Sequence, residues 1–192
     1  MLSIDTLNFR GNDMNKNWST IEVLKHTRHD WLNKIQLIKG NIALNKIDRV
    51  NTIIEEIVID AQNETHLTNL QIPTFAALIM TLNWEPHKYQ FDYDVVGDIR
   101  NLSNYDSKLT EWCSQFFAIL EEAVDEMGEN HLSLTIDCSL EETRFFFDFS
   151  GILKDREYLT NWLTRISKSE QFPQITEYKV HNKEVSITIH IA

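Results

Sequence analysis

Apolar positions recur in alternating steps of four and three along the first third of the chain. The series Leu24, Arg28, Trp31, Ile35, Ile38, Ile42, Asn45, Arg49 is apolar at its centre. That is the spacing of a helix face that packs against other helices. Ahead of it, Ser19-Thr20-Ile21-Glu22 has the form of a capping box, so a helix is expected from Ser19 to about Leu44. Asn45-Lys46-Ile47-Asp48 reads as a short turn ending in an N-cap at Asp48. A second helix follows, with Val50, Ile54, Ile57 and Ala61 at the same spacing and Ile53 and Val58 widening the stripe. Two helices joined so closely make an antiparallel hairpin. Alone they cannot enclose a core, so pairing with a second copy into a four-helix bundle is the expected way to cover both stripes.

Beyond Pro73 the pattern changes. Thr74 to Trp84 reads as a short helix, Tyr89 to Val96 as an alternating strand, and Asp106 to Met127 as a long helix with Leu109, Trp112, Phe116, Ile119, Leu120 and Val124 inward. His131 to Cys138 and Arg144 to Phe149 alternate like paired strands, and a helix near Asp155 to Lys168 and a strand over Glu184 to Ile191 close the chain. This mixture predicts an α/β sandwich with helices on one face of a mixed sheet, and an α+β fold class overall. The expected division is an N-terminal extension over residues 1–18, a helical hairpin over 19–71 and an α/β domain over 72–192.

Composition narrows the function classes. At 192 residues and 42% apolar content the chain can bury a core without staples, and no apolar run approaches the roughly 20 residues that span a membrane. Met1 to Trp18 holds Asp5, Arg10 and Asp13 rather than an apolar signal segment, so a cytoplasmic location is expected. Cys113 and Cys138 form no closely spaced pair and read as reduced core residues. The net charge of −11 disfavours nucleic-acid binding. Residues 20–70 nevertheless carry six Lys or Arg against seven Asp or Glu, so the acidic excess lies elsewhere and the hairpin can still face an acidic partner.

The chemistry-bearing segment is Arg28-His29-Asp30-Trp31-Leu32-Asn33-Lys34, continuing to Asn41. His29 lies about 160° around the helix from Trp31, away from the apolar seam. Asn33 is one turn later on the same side, where its amide can bond one imidazole nitrogen and leave the other as nucleophile. Imidazole, with an ordinary pKa near ~6.5, offers a neutral nucleophile at cytoplasmic pH. Asp30 can orient a nearby cation or the imidazole of a neighbouring helix, and Arg28, Lys34 and Lys39 can offset the charge of an incoming phosphoryl group. Gln36 and Gly40 continue the face, and glycine there costs the helix about 1 kcal/mol relative to alanine, a cost that makes sense where another backbone approaches.

As a whole, His29-Asp30-Trp31-Leu32-Asn33 resembles the phosphoacceptor box of two-component histidine kinases. The longer string, with Gln36-Leu37-Ile38-Lys39-Gly40-Asn41, Asp48-Arg49-Val50, Ile54-Glu55-Glu56, Val58-Ile59-Asp60-Ala61 and Asn83-Trp84, resembles the sporulation initiation phosphotransferase B family from about His26 to Gly151. That resemblance implies a homodimer built on a four-helix bundle, and a C-terminal domain like a degenerate kinase ATPase domain that binds no nucleotide. It implies that His29 takes phosphoryl from a phosphorylated single-domain response regulator and passes it to the aspartate of a response-regulator transcription factor. Asn33, Asp30 and Arg28 support it, and Gln36, Leu37, Gly40, Asn41 and Leu44 form the docking face, although Leu37 and Leu44 equally suit a core. No cofactor is expected on this chain, and Mg2+ is expected on the regulator.

A complete kinase is disfavoured because Gly11, Gly40, Gly97, Gly128 and Gly151 stand too far apart for a phosphate loop. Asp148-Phe149-Ser150-Gly151 looks like a remnant of a nucleotide box, and Leu120-Glu121-Glu122-Ala123-Val124 lacks the magnesium-binding asparagine. His26 and His29 are three apart, but the remaining histidines scatter, which argues against a metal module. A non-catalytic dimeric helical interaction protein is the alternative.

Overall fold

The computed structural model describes residues 18–139, 141–168 and 173–191; apart from Trp18, the expected extension over 1–18 lies outside them. Helix α1 spans Thr20–Ala43 and helix α2 spans Ile47–Asn69. The capping box forms: Ser19 Oγ accepts from the Glu22 amide at 3.3 Å, and the Glu22 carboxylate accepts from the Ser19 amide at 2.9 Å. At the far end the Leu44 amide donates to the Gly40 carbonyl, and Asn45, at φ 54°, takes the left-handed conformation that reverses the chain. Asp48 is not the N-cap. The helix has already begun at Ile47, so Asp48 sits in its first turn, where the carboxylate suits the positive end of the helix dipole.

Within one chain the two helices cover each other only in part. Lys34 Nζ bridges to Asp60 at 2.9 Å, yet α1 has no buried residue, and Trp31, Ile35 and Ile42 are 51%, 53% and 53% exposed. The end of α2 behaves differently. Leu67 and Leu70 enter the core of the second unit, where Ile72 and helix α3 (Pro73–Thr81) continue it. Pro73 starts α3, and the Asp106 carboxylate accepts from the free amides of Thr74 and Phe75 at 3.1 and 2.8 Å, a cap supplied from a remote segment.

A 3-10 turn over Leu82–Trp84 leads to strand β1 (Gln90–Gly97), helix α4 (Asp106–Ala123), strands β2 (His131–Cys138) and β3 (Thr143–Ser150), helix α5 (Arg156–Ser167), and strands β4 (Gln174–Val180) and β5 (Glu184–Ile191). The sheet order is β1-β2-β3-β5-β4, with β1 parallel to β2 and the other pairs antiparallel. Alternation places Leu132, Leu134, Ile136, Phe145, Phe147, Phe149, Val185, Ile187 and Ile189 on the inner face, with Trp112, Phe116, Leu120 and Leu163 of the helices buried in the same core. Cys113 and Cys138 are buried and free, and burial pushes the Cys113 thiol well up.

Two expectations are corrected. Helix α4 ends at Ala123 rather than Met127, because Val124 turns extended to bridge Leu153 and the Asp125 amide is taken by the Ile152 carbonyl. Strand β4 was not expected; a bulge between Ile175 and Glu177 shifts its register, so its alternation never runs long enough to be read. The loops at this end converge on buried Asn130. Its Nδ2 donates to the Lys88 and Asp125 carbonyls at 2.8 and 2.6 Å, and its Oδ1 accepts from the Ile152 amide at 2.9 Å.

Candidate functional site

The His29 side chain is 74% exposed on α1. Its Nδ1 faces Asn33 Nδ2 at 3.2 Å and Asp30 Oδ1 at 3.5 Å. A carboxylate only accepts, and a carboxamide presents its oxygen in place of its nitrogen after a half-turn. Both neighbours can therefore hold a proton on Nδ1, which leaves the lone pair on Nε2, an atom with no partner among the described residues. Within one chain, Asp30 Oδ1 thus stands beside the imidazole of its own helix, at His29.

The cations divide. Lys34 is committed to Asp60 and lies 6.0 Å from the Trp31 ring, so it stitches the hairpin and does not attend His29. Arg28 and Lys39 are exposed on α1 and make no bond to His29.

The rest of the predicted face is open within one chain. Gln36 and Gly40 are exposed, and a methyl group added at Gly40 would meet nothing within 4 Å. Gly40 therefore does not pack tightly against α2. Leu37 and Leu44, which suited a core or a docking face, are 57% and 67% exposed. Asn41 turns back on its own helix, its Nδ2 donating to the Leu37 carbonyl at 2.8 Å.

His26, one turn before His29, is occupied. Its ring stacks on Trp84 with centroids 4.8 Å apart, and Trp18 meets it edge-on at 4.9 Å. Trp84 is held in turn, because its neighbour Asn83 donates to the Phe91 carbonyl of β1 at 2.7 Å. A second joint lies on α2, where His66 Nδ1 donates to the Val95 carbonyl at 3.1 Å and Asn63 bridges the Tyr93 carbonyl and the Val95 amide, both at 3.4 Å. Helical periodicity signals none of these contacts; Asn83-Trp84 stood out only in the family-like string.

The kinase-like remnant holds no loop. Phe149 is fully buried, while Asp148 points to the other side of the sheet. A Cβ at Gly151 would stand 2.3 Å from Asn130 Oδ1, so this glycine serves packing. Glu121 accepts from the Lys88 amide at 3.3 Å and pairs with His87 at 3.4 Å. Burial alone would raise its carboxyl, but the hydrogen bonds from His87 and Lys88 and their charges hold it below the usual carboxylate range. Among the described residues no group of side chains is arranged to hold a metal ion, and no helix is long and apolar enough to cross a membrane.

Two family models match the chain. Residues 11–70 match the sensor kinase SpoOB-type alpha-helical domain, and residues 71–192 match the C-terminal domain of sporulation initiation phospho-transferase B. A relative from Bacillus subtilis (strain 168), sporulation initiation phosphotransferase B, is 42% identical over 137 residues, covering 70% of this chain and 71% of that protein.

Proposed function

The chain belongs to the sporulation initiation phosphotransferase B family, and from that premise we propose that it relays a phosphoryl group through His29. The donor is a phosphorylated single-domain response regulator, and the acceptor is the aspartate of a response-regulator transcription factor. The observation that carries this reading is the exposed imidazole whose Nδ1 lies beside Asn33 and Asp30 while Nε2 has no partner among the described residues. In the first step Nε2 attacks phosphorus, the P–O bond to the donor aspartate breaks, and the carboxylate leaves with the electron pair. The ring gains positive charge, which the Asp30 carboxylate beside Nδ1 offsets. In the second step the acceptor carboxylate attacks, the P–N bond breaks, and the imidazole returns neutral. No cofactor is assigned to this chain; Mg2+ bound at the regulator's acidic site would supply the charge that neutralises the transferring oxygens.

The active form is a homodimer. Trp31, Ile35 and Ile42 on α1 and Ile54 and Val58 on α2 leave an apolar face half open in one chain, and a second hairpin closes it into a four-helix bundle with His29 outside. The hairpin over 19–71 is the phosphoacceptor and dimerisation domain, and 72–192 is an α/β domain, related to kinase ATPase domains, that does not bind nucleotide. The protein works in the cytoplasm, without nucleic acid or membrane as partner. The test is to mix it with a phosphorylated response regulator and map the phosphate: an acid-labile, base-stable label lost in His29→Gln supports the reading, and a label that persists there refutes it.

A further inference from the structure

The aromatic contact one turn before His29 lies inside any surface that a protein partner must cover to reach that histidine. A specific interface buries about 800 Å² on each side, a patch of about 16 Å radius if round. His26 precedes His29 by three residues, about 4.5 Å along the helix and about 60° around it. The Trp84 ring lies a further 4.8 Å from that of His26. A partner centred on His29 therefore meets the second domain at Trp84 as well as the helix.

This contact is built rather than incidental. Trp18, His26 and Trp84 touch one another pairwise, with Trp18 and Trp84 edge-on at 5.2 Å. Asn83 fastens the turn to β1, and Asn63 and His66 fasten β1 to α2. Trp84 thus closes a loop of contacts that sets the second domain against the phosphoacceptor helix. With Glu85 and Pro86 the three rings line an open cleft of about 520 Å³, room for a partner's side chain beside the reacting imidazole.

We propose that Trp84 is a positioning residue that selects the regulator: through His26 it fixes the second domain beside His29, and the Trp18–Trp84–Glu85 cleft forms one edge of the regulator's seat. This inference rests on the relay reading above. It differs from simple interdomain packing, in which the aromatic contact holds the fold together and the regulator touches only α1.

The test compares wild type, Trp84→Ala and Glu85→Lys with two phosphoryl sources: phosphoramidate, which needs no regulator and whose label is mapped to His29, and a single-domain response regulator phosphorylated on its aspartate. The expected result is unchanged labelling by phosphoramidate in both variants, with KM for the phosphorylated regulator raised about tenfold and kcat little changed. An unchanged KM in both variants overturns the proposal. If Trp84→Ala loses both activities and melts early, Glu85→Lys decides, since it keeps all three rings and its melting temperature is read alongside: a raised KM there supports the seat, and a wild-type KM overturns it. Wild type labelled by phosphoramidate but by no regulator overturns the relay reading itself, and the selection role with it.

Discussion

Replacing Gly40 separates a docking role for the His29 face from a packing role within the hairpin. Gly40 lies in the last turn of α1, and the space its Cβ would enter is empty to 4 Å. Gly40→Ala therefore gains helix propensity without a clash, up to about 1 kcal/mol. With an unfolding entropy near 2.1 cal/mol/K per residue, 1 kcal/mol corresponds to a rise in Tm of about 2.5 °C for a chain of this size. Gly40→Leu should keep most of that gain, because the added side chain projects into solvent on the side away from the Trp31 seam. On that side, however, it stands where a regulator must approach His29. Differential scanning calorimetry and transfer kinetics on the same two variants give the answer: Gly40→Ala melts higher with normal transfer, while Gly40→Leu melts near or above wild type with regulator KM raised. If both variants melt several degrees low and their folded fraction transfers normally, Gly40 is a packing residue, and the partner-facing assignment of Gln36 and Asn41 falls with it.

Ile35→Asp should leave a stable second domain but dissociate the homodimer, since it places a charge in the half-open apolar face; sedimentation velocity reads the mass, and a dimer of unchanged affinity refutes the bundle. Asn130→Ala should destabilise the chain by about 2 kcal/mol in urea, because it takes the side-chain partner from two part-buried carbonyls and an amide at once; a loss under about 0.5 kcal/mol would show that water replaces the side chain. For Glu121 the folded carboxyl lies below its ordinary value, so its contribution to stability is fully present above about pH 4.3 and is lost as pH falls through the lower folded value. Glu121→Gln should therefore flatten the acid limb of the stability profile below about pH 4.3, and a profile parallel to wild type through that window would show the contacts with His87 and Lys88 to be without weight. Asn33→Leu, on an exposed helix face, should leave Tm unchanged and slow labelling of His29 by phosphoramidate; equal labelling would mean that Asn33 does not orient the imidazole.

What could be read from the chain itself is what depends on neighbours within a turn or two of helix. The capping box at Ser19, the placement of His29 opposite Trp31, and the approach of Asn33 to the imidazole all follow from 3.6-residue periodicity, and each stands in the structure where that geometry puts it. The strands with unbroken alternation were legible for the same reason, whereas β4 was not, because a bulge resets which side its residues face. Long-range contacts decided the rest. Whether Lys34 attends the imidazole or Asp60 depends on the path of α2, and α4 stops at Ala123 because a distant backbone, at Ile152 and Leu153, takes the next hydrogen bonds. His26 and His29 look alike in sequence, both on one helix and three apart. Only the tertiary fold distinguishes them, by bringing Trp84 onto the first and leaving the second open: an indole finds its partner through the packing of a whole domain, a choice no local spacing encodes.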